Sequence, residues 1–475
     1  MDDLILYGQE RPKAVVQHLR AGPIRLKFSD GELRYLHVGN KEIVRRVYFA
    51  LRDRNFDTIM PNFQQVDVHD QGDSFTIHME AICRRDEINY EWEGKIVGST
   101  DGTIRFEVNG RVNRDFECPR LGICILYGTP SLTGHHYVVT DTHGHTTSSH
   151  FPIPISGSLI ESEFTALQYT TDDGLEVETR LSSGQFAMED QRNFCDSSYK
   201  AFHVMDHGCP QLKQGSQATE TLVLACHGTI PNAPPPDVVR VGLGDVHSVR
   251  IPKLRPSKHQ APTFVSINRD RPPHEGSESL DWAFNPATHM PDDDTLMENI
   301  PSIIDQARTA DLFAPGARID VGPIGFNPPY PRADPDPRNH GLFAAAWCAR
   351  MIKYLSLASV SQASFDVGPG PCDQIQQAFA EYGGCLLRET SIEAVEPAPV
   401  DALAIQSEHG PVIWLINQTD QGQPVVVRGV NTTQIQMQHI NAESSPRSDE
   451  AIAADDEGEF RLNLSAFEVC QIQPV

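Results

Sequence analysis

Several common sequence features are missing from this chain, and each absence disfavours a class of protein. The ten cysteines form no CxxC pair and no repeating spacing, which disfavours a zinc ribbon or a redox dithiol. There is no GxSxG nucleophile elbow, no HExxH zinc helix and no GxxxxGK phosphate loop. No apolar run approaches the roughly 18 residues of a membrane-spanning helix. The sequence therefore predicts no membrane partner.

Positive charge is also scarce. Lys and Arg number 39 against 64 Asp and Glu, which gives a formal net charge of −25. Such a surface repels nucleic-acid phosphates, so no nucleic-acid partner is expected. The N-terminus has no basic region followed by a long apolar run, as a signal peptide would. We therefore expect a cytoplasmic protein with reduced cysteines.

The length of 475 residues suggests about three domains at roughly 150 residues each. Residues 14–230 alternate apolar and polar side chains with the period of half-buried strands. Asp30 and Gly31 supply a hairpin turn between two such runs. We predict a large antiparallel N-terminal β-sandwich over residues 1–235, ending near the proline-rich stretch at 231–236.

Strands alternate with helices in the next segment, residues 236–395, which predicts a parallel sheet with crossover helices. The predicted strands cover 263–267, 280–284, 318–321 and 363–367, and the predicted helices cover 295–310, 341–357 and 372–382. Four or five strands are too few for a closed eight-stranded barrel of about 250 residues, so the segment is predicted to be a partial β/α (TIM-like) barrel. Residues 396–475 return to strands and predict a small C-terminal β-sandwich, with an acidic loop at 443–459. The fold class is thus multidomain α+β.

The densest polar constellation lies between two predicted strands, at residues 188–200. Its charged and amide side chains could bind a polyhydroxylated ligand and polarise a carbonyl. They are Glu189, Asp190, Arg192, Asn193 and Lys200. The alternative is a buried hydrogen-bonded corner in which Glu189 or Asp190 pairs with Arg192.

A second constellation follows the predicted strand at 280–284, at the carboxyl edge where barrel active sites gather. His289 could act as a general base, with Asp292 or Asp293 orienting its imidazole. Thr295 and Glu298 match a capping box, which gives Glu298 a structural reason for its position.

Two arginines and two further polar residues follow other predicted strands. Arg269 and Arg271 could orient a carboxylate or stabilise an oxyanion, or could form a surface ion-pair patch. Asn327 and Asp366 each close a strand.

Two other patterns receive less support. Gly242 and Gly244 begin a GxGxx pattern, but His247 stands in place of the third glycine, so dinucleotide binding is disfavoured. Five histidines, at positions 135, 136, 143, 145 and 150, could suit zinc or nickel. Their Thr, Ser and Gly-rich setting favours an exposed loop.

Motifs along nearly the whole chain resemble one known family. They are residues 6–8, 20–23, 121–126 and 151–152, above all Glu189 to Asn193 (EDQRN) with Asp196, Ser198, Tyr199 and Lys200, and then residues 268–272, Asn285-Pro286 with His289 and Asp292, residues 322–323 with Asn327, 341–347 and 467–469. The chain resembles the D-apionate lactonase family, which has a β-rich domain, a TIM barrel and a C-terminal β-sandwich. The resemblance implies hydrolysis of a sugar-acid lactone, D-apionolactone to D-apionate, within carbohydrate catabolism.

The resemblance and the residue types together give a candidate site for ester hydrolysis of a small carbohydrate lactone, with no metal and no cofactor. The predicted catalytic residues are His289, Asp292, Glu298 and Arg269, and the predicted substrate-binding residues are Glu189, Asp190, Arg192, Asn193, Lys200, Asn268, Arg271 and Asn327.

The segment between residues 237 and 261 leaves no room for the early barrel strands, and this leaves alternatives open. The chain could be a non-catalytic carbohydrate-binding or assembly protein. A glycoside hydrolase would need two flanking carboxylates, for which Glu298 and Asp366 are the candidate pair. Exposed barrel edges also predict a possible homodimer.

Overall fold

The computed structural model describes residues 2–11, 15–205, 209–228, 230, 236, 238–256, 261–271, 279–327, 335–440 and 450–475. The chain divides into two compact units. The N-terminal unit comprises Lys13–Gln191 and Ser197–Ala233, and the C-terminal unit comprises Met1–Pro12, Arg192–Asp196 and Pro234–Val475. The C-terminal unit thus includes five residues, Arg192–Asp196, that interrupt the N-terminal unit in the sequence.

Helix α1 (Asp3–Tyr7) belongs to the C-terminal unit, and the N-terminal unit that follows consists almost entirely of strands. Its elements are β1 Gln17–Ala21, β2 Ile24–Ser29, β3 Glu32–Val38, β4 Lys41–Arg52, β5 Asn62–Asp70, β6 Phe75–Arg85, β7 Ile88–Gly98, β8 Thr103–Val112, β9 Phe116–Glu117, β10 Arg120–Gly128, α2 Thr129–Leu132, β11 His136–Asp141, β12 Thr146–His150, β13 Glu161–Thr170, β14 Glu176–Leu181, β15 Phe186–Asp190, β16 Ser198–His203, β17 Gln211–Leu212 and β18 Gln217–His227.

Most of these strands form one antiparallel sheet in the order β1-β2-β3-β4-β10-β16-β15-β13-β14-β18-β8-β7-β6-β5, with β11 pairing β12 and β13. The sheet folds over itself, because Phe49 of β4 packs 5.1 Å from Trp92 of β7, ring centroid to ring centroid, although the two strands are far apart in this order. Asp30 and Gly31 have φ of 51° and 77°, as the predicted hairpin turn requires. The predicted antiparallel sandwich is confirmed.

The C-terminal unit contains the helices and two further sheets. Its elements are β19 Val239–Arg250, β20 Lys253–Leu254, α3 Phe264–Asp270, β21 Ser279–Phe284, α4 Asp293–Glu298, α5 Ser302–Phe313, β22 Arg318–Ile324, α6 Leu342–Leu357, β23 Gln362–Phe365, α7 Pro371–Ala380, β24 Leu386–Glu393, β25 Val400–Ser407, β26 Gly410–Asn417, β27 Gln423–Arg428, β28 Gln434–Ile440, β29 Glu450–Ala453, β30 Phe460–Leu464 and β31 Val469–Pro474.

Strands β20 to β23 form a parallel sheet in the order β20-β23-β22-β21. The first strand in sequence lies beside the last, which is how the first and last strands of a closed β/α barrel meet. The described residues therefore form the seam of a barrel and its final strands, without middle strands between β20 and β21. This confirms the predicted partial barrel.

Two of the predicted barrel elements are wrong in detail. Residues 263–267 are not a strand, because the Thr263 side chain accepts a hydrogen bond from Ser266 N and caps helix α3. The predicted helix 295–310 is two helices, α4 and α5, separated at Asn299, Ile300 and Pro301. Proline favours the start of a helix over its interior, which explains the break.

The third sheet has nine strands in the order β29-β28-β31-β26-β25-β24-β19-β27-β30. Strand β19 joins it although it precedes the barrel strands in the chain, so Gly242 and Gly244 lie in a strand and not in a phosphate-binding loop. Residues 450–453 of the predicted acidic loop form β29, while 441–449 lie outside the described residues. The predicted domain boundaries at 235 and 395 stay predictions.

No helix in the described part of the chain is long and apolar enough to cross a membrane.

Candidate active site

The segment Arg192–Asp196 is held in the C-terminal unit by hydrogen bonds from two helices. Asn268 Nδ2 of α3 donates to Asn193 Oδ1 over 2.9 Å. Ser302 Oγ of α5 donates to the carbonyl of Cys195 over 3.0 Å. Burial raises the pKa of the Cys195 thiol to about 11, so this cysteine is protonated at neutral pH and is not a nucleophile.

A histidine and a carboxylate meet at the carboxyl edge of the parallel sheet. His289 follows β21, and its Nδ1 lies 2.6 Å from Oδ2 of Asp196. The side chains are only 13% and 7% exposed, so the pair is largely shielded from water. Asn299 Nδ2 donates to the other oxygen, Asp196 Oδ1, over 2.9 Å. Because a carboxylate accepts at Nδ1, the neutral imidazole carries its proton there and its lone pair on Nε2.

Neighbouring side chains fix this pair in place. The Phe194 ring packs edge-on against the imidazole, with centroids 5.4 Å apart. Gln306, which is fully buried, donates from Nε2 to the carbonyl of Arg192 over 2.8 Å. Its Oε1 accepts from Trp282 Nε1, also over 2.8 Å. The backbone that carries Asp196 is therefore anchored to both β21 and α5.

Asp292 and Asp293, predicted to orient His289, have structural partners. Asp292 is the N-cap of α4 and accepts from Thr295 N over 2.9 Å and from Thr295 Oγ1 over 2.7 Å. The capping-box interpretation of Thr295 and Glu298 is wrong, because the N-cap is Asp292, three residues before Thr295, and the helix ends at Glu298. Asp293 forms ion pairs with Arg11 and Arg338, each at 2.6 Å.

Asp196 was not predicted as the partner of His289. It lies 93 residues earlier in the chain, and no local spacing connects the two. The signal present in the sequence was its place three residues after the EDQRN segment. The predicted catalytic roles of Asp292 and Glu298 stay predictions.

The predicted oxyanion arginines lie at the end of α3. Arg269 is exposed, and its Cζ lies 5.9 Å from the centroid of Phe194, the ring that packs on His289. Arg271 Nε donates to the carbonyl of Asn268 over 3.2 Å, and its guanidinium lies 5.9 Å from the Phe313 ring. Arg269 is thus the arginine of the two that contacts the surroundings of His289.

The predicted binding residues Arg192 and Asn327 make structural contacts. Arg192 is fully buried and pairs with Asp305 of α5 at 3.2 Å. Asn327 Oδ1 accepts from Asp336 N over 2.8 Å and from Asn339 Nδ2 over 3.0 Å. These hydrogen bonds link the end of β22 to the residues before α6. Asp366, the glycosidase candidate, is exposed after β23.

The 188–200 constellation divides between the two units. Glu189, Asp190 and Lys200 lie on β15 and β16 of the N-terminal unit, whereas Arg192 and Asn193 belong to the C-terminal unit. Asp190 Oδ2 accepts from Ser156 N over 3.1 Å. One sequence cluster therefore contributes to two separate groups of side chains.

The five histidines lie on and beside the β11–β12 hairpin. His136 and His150 are cross-strand neighbours, with ring centroids 5.4 Å apart. His145 lies 3.1 Å from Asp141, and His135 lies 3.4 Å from Asp172. Within the ranges that the structure describes, no three His, Cys, Asp or Glu side chains are grouped as metal ligands.

These features define a class: a β-sandwich joined to a partial β/α barrel and a second β-sandwich, with a His–Asp pair at the carboxyl edge of the barrel strands. Three family models match the same layout. They are the N-terminal domain of D-apionate lactonase over residues 4–229, its TIM barrel domain over 249–386 and its C-terminal immunoglobulin-like domain over 397–472. The chain belongs to the D-apionate lactonase family.

Among curated proteins, a D-apionate lactonase of Brucella anthropi is 29% identical over 203 residues, which is 42% of this chain and 33% of that protein. The match thus spans about a third of that relative's length.

Solved structures give weaker similarities. A family 44 xyloglucanase of Paenibacillus polymyxa is 10% identical with a TM-score of 0.32, covering 41% of this chain and 46% of the other. A putative aldose 1-epimerase of Escherichia coli is 11% identical with a TM-score of 0.31, covering 45% of this chain and 99% of the other.

Proposed function

We propose that this protein is a lactonase that opens the ring of a sugar-acid lactone, with D-apionolactone as the substrate and D-apionate as the product. Membership of the D-apionate lactonase family supports the substrate class. The observation that carries the chemistry is the 2.6 Å contact between His289 Nδ1 and Asp196 Oδ2, since it prepares His289 as a general base.

The reaction needs one activated water and one proton transfer in each direction. Nε2 of His289 removes a proton from water as the water oxygen attacks the lactone carbonyl. Asp196 stabilises the imidazolium that forms, and Asn299 holds the carboxylate in position. When the tetrahedral intermediate collapses, the ring oxygen leaves and takes the proton back from His289. The product is a hydroxy acid, which releases one proton to solution at neutral pH.

The developing oxyanion needs a donor, and Arg269 is the candidate. It stands in the last turn of α3, next to the Phe194 ring that packs on His289. Because its side chain is exposed, it can turn toward a bound substrate without breaking a buried ion pair. Positive charge at this point would stabilise the transition state more than the ground state.

Acid release from a panel of aldonolactones, including D-apionolactone, tests the proposal in weak buffer with a pH indicator. We expect turnover well above spontaneous hydrolysis, and His289→Ala should lower it by about 10²- to 10⁴-fold because the base is removed. Asp311→Asn, an exposed carboxylate on α5, is the matched control and should be unchanged. Wild-type rates equal to the blank on every lactone would overturn the proposal. Turnover of other lactones but not D-apionolactone would refute the named substrate alone.

A further inference from the structure

A group of buried charges lies in the N-terminal unit, apart from the residues of the proposed reaction. We call it the cationic face: Arg52 on β4, Arg120 on β10, Lys200 on β16 and Glu189 on β15. These strands are neighbours in the order β4-β10-β16-β15. Arg120 is the cross-strand partner of Arg52, and Glu189 is the cross-strand partner of Lys200.

The four side chains share one side of the sheet. Successive residues of a strand point to opposite faces, so residues an even number apart share a face. Each member of the cationic face is two or four residues from a member of one small apolar cluster, which comprises Tyr48, Ala50, Cys124, Leu126, Ala187 and Phe202. The Arg120 guanidinium lies over the Phe202 ring, 3.3 Å from its centroid.

The charges on this face are not balanced. Among the four side chains, three cations stand against one carboxylate, and that carboxylate also accepts from Gln191 Nε2 over 2.9 Å. Arg46, which lies over the Tyr48 ring on the same side, is paired with Glu32. Arg52 is 5% exposed and Lys200 is 2% exposed. The buried Nε atoms of Arg52 and Arg120 have no hydrogen-bond acceptor among the described residues. A buried charged donor without an acceptor is costly, so this arrangement is unusual for a purely structural sheet face.

The electrostatics agree with the geometry. Burial, followed by the neighbouring charges of Arg52 and Arg120, lowers the pKa of Lys200 to about 7. Burial also lowers the pKa of Arg120, and Arg52 adds to this effect. An added negative charge would relieve the repulsion among all three cations.

We propose that the cationic face binds the anion of a hydroxy-carboxylic acid of the sugar-acid class. Arg52 and Arg120 would hold the carboxylate, since guanidinium groups match its planar geometry. Glu189 would accept a hydrogen bond from a ligand hydroxyl, and the rings of Tyr48 and Phe202 would cover the carbon chain. The same Glu189 repels an inorganic anion that has no hydroxyl to offer, which favours a sugar acid over phosphate.

This inference does not rest on the proposed reaction, because all of its residues lie in the N-terminal unit. Arg120 and Glu189 are partly exposed, so the face reaches solvent. The Lys200 ammonium loses its charge as the pH rises above about 7. Binding should therefore be tighter at acidic than at alkaline pH and should be accompanied by proton uptake near neutrality.

Titration calorimetry of the full chain tests the inference with sodium D-gluconate as the probe, and with D-glucose and inorganic phosphate as comparison ligands. We expect gluconate to bind, glucose not to bind and phosphate to bind more weakly. Lys200→Met should weaken gluconate binding at least about tenfold, because one of the three cations that attract the anion is removed. Lys95→Met, an exposed lysine on β7, and His289→Ala should leave binding unchanged.

A second variant keeps the test decisive if Lys200→Met folds poorly in a thermal melt. Glu189→Gln removes the charge that disfavours inorganic anions and should narrow the preference for gluconate over phosphate. The inference is overturned if gluconate does not bind at millimolar concentrations, or if phosphate binds more tightly in the wild type. Loss of gluconate binding in His289→Ala would also overturn it, because the anion would then occupy the reaction site.

Discussion

Replacing Asp196 by Asn is the most informative perturbation of the candidate active site. The substitution keeps the shape of the side chain but removes its charge. Asp196 accepts hydrogen bonds from both His289 Nδ1 and Asn299 Nδ2. The two donors contact different oxygens of Asp196, and an amide has an oxygen at only one of these positions, so one contact is lost or reversed.

The size of the effect follows from these contacts. A buried hydrogen bond to a charged group contributes about 1.5–3 kcal/mol. If that stabilisation is lost in the transition state, kcat falls by about 10- to 150-fold, since each 1.36 kcal/mol is a factor of ten. If the new amide donates to Nδ1, the imidazole proton moves to Nε2 and the base is lost. The decrease could then reach about 10⁴-fold, as in the serine-protease triad.

Steady-state acid release on the best lactone of the panel measures this effect, with Asp311→Asn as the matched control. The variant should keep its KM within a small factor, because Asp196 acts through His289 and does not bind the substrate. A thermal melt confirms that the chain is folded. An Asp196→Asn variant with a wild-type kcat and an unchanged pH profile would show that Asp196 does not support His289 as the base.

Three other predictions concern stability. Asp401→Asn should cost about 3–5 kcal/mol in urea unfolding at pH 7, because Arg350 at 3.0 Å and Lys353 would be left as buried cations. Burial alone would raise the pKa of Asp401, but Lys353 and Arg350 hold that pKa below its ordinary value. The stabilisation from Asp401 is therefore present above about pH 4, the unfolded pKa, and is lost as the pH falls toward the lower folded pKa. A cost of Asp401→Asn that persists unchanged in acid would contradict this prediction. Gln306→Leu should cost about 1–3 kcal/mol, because the buried Trp282 Nε1 would lose its acceptor, and an unchanged melting temperature would count against it. Gly341→Ala should lower the free energy of unfolding by about 1–3 kcal/mol, because the new Cβ would lie 2.3 Å from the carbonyl oxygen of Leu6. An unchanged melting temperature would show that α1 can move aside.

Much of the fold could be predicted because its signals are local. Helix α6 was predicted at 341–357 and spans Leu342–Leu357, since a long apolar pattern sets its length. The alternation of β7 was equally clear, because every second residue is buried. Thr263 misled the prediction because a β-branched residue suits a strand, yet its hydroxyl caps a helix.

The candidate site was predictable only in part. His289 could be placed at a carboxyl edge from the strand before it. Its partner Asp196 could not, because the contact joins residues 93 positions apart. The division of the EDQRN region between two units also could not be predicted. Glu189 and Arg192 are only three residues apart, and no local pattern places them in different units.

The strand count predicted a partial barrel, and the pairing of its strands shows which part of a barrel is present. Because β20 pairs with β23, the sheet keeps the seam where a closed barrel joins its first and last strands. Losing middle strands leaves this seam and the final strands paired. The carboxyl edge after β21 is thereby retained, and His289 with it.

Chemical rescue of His289→Ala tests whether His289 is the general base of lactone hydrolysis. The variant would be assayed for lactone opening with and without added imidazole, beside Asp311→Asn treated in the same way. His289→Ala should be nearly inactive, and imidazole should restore part of its rate in proportion to concentration, while the control should not respond. A His289→Ala variant that opens the lactone at the wild-type rate would show that His289 is not the base.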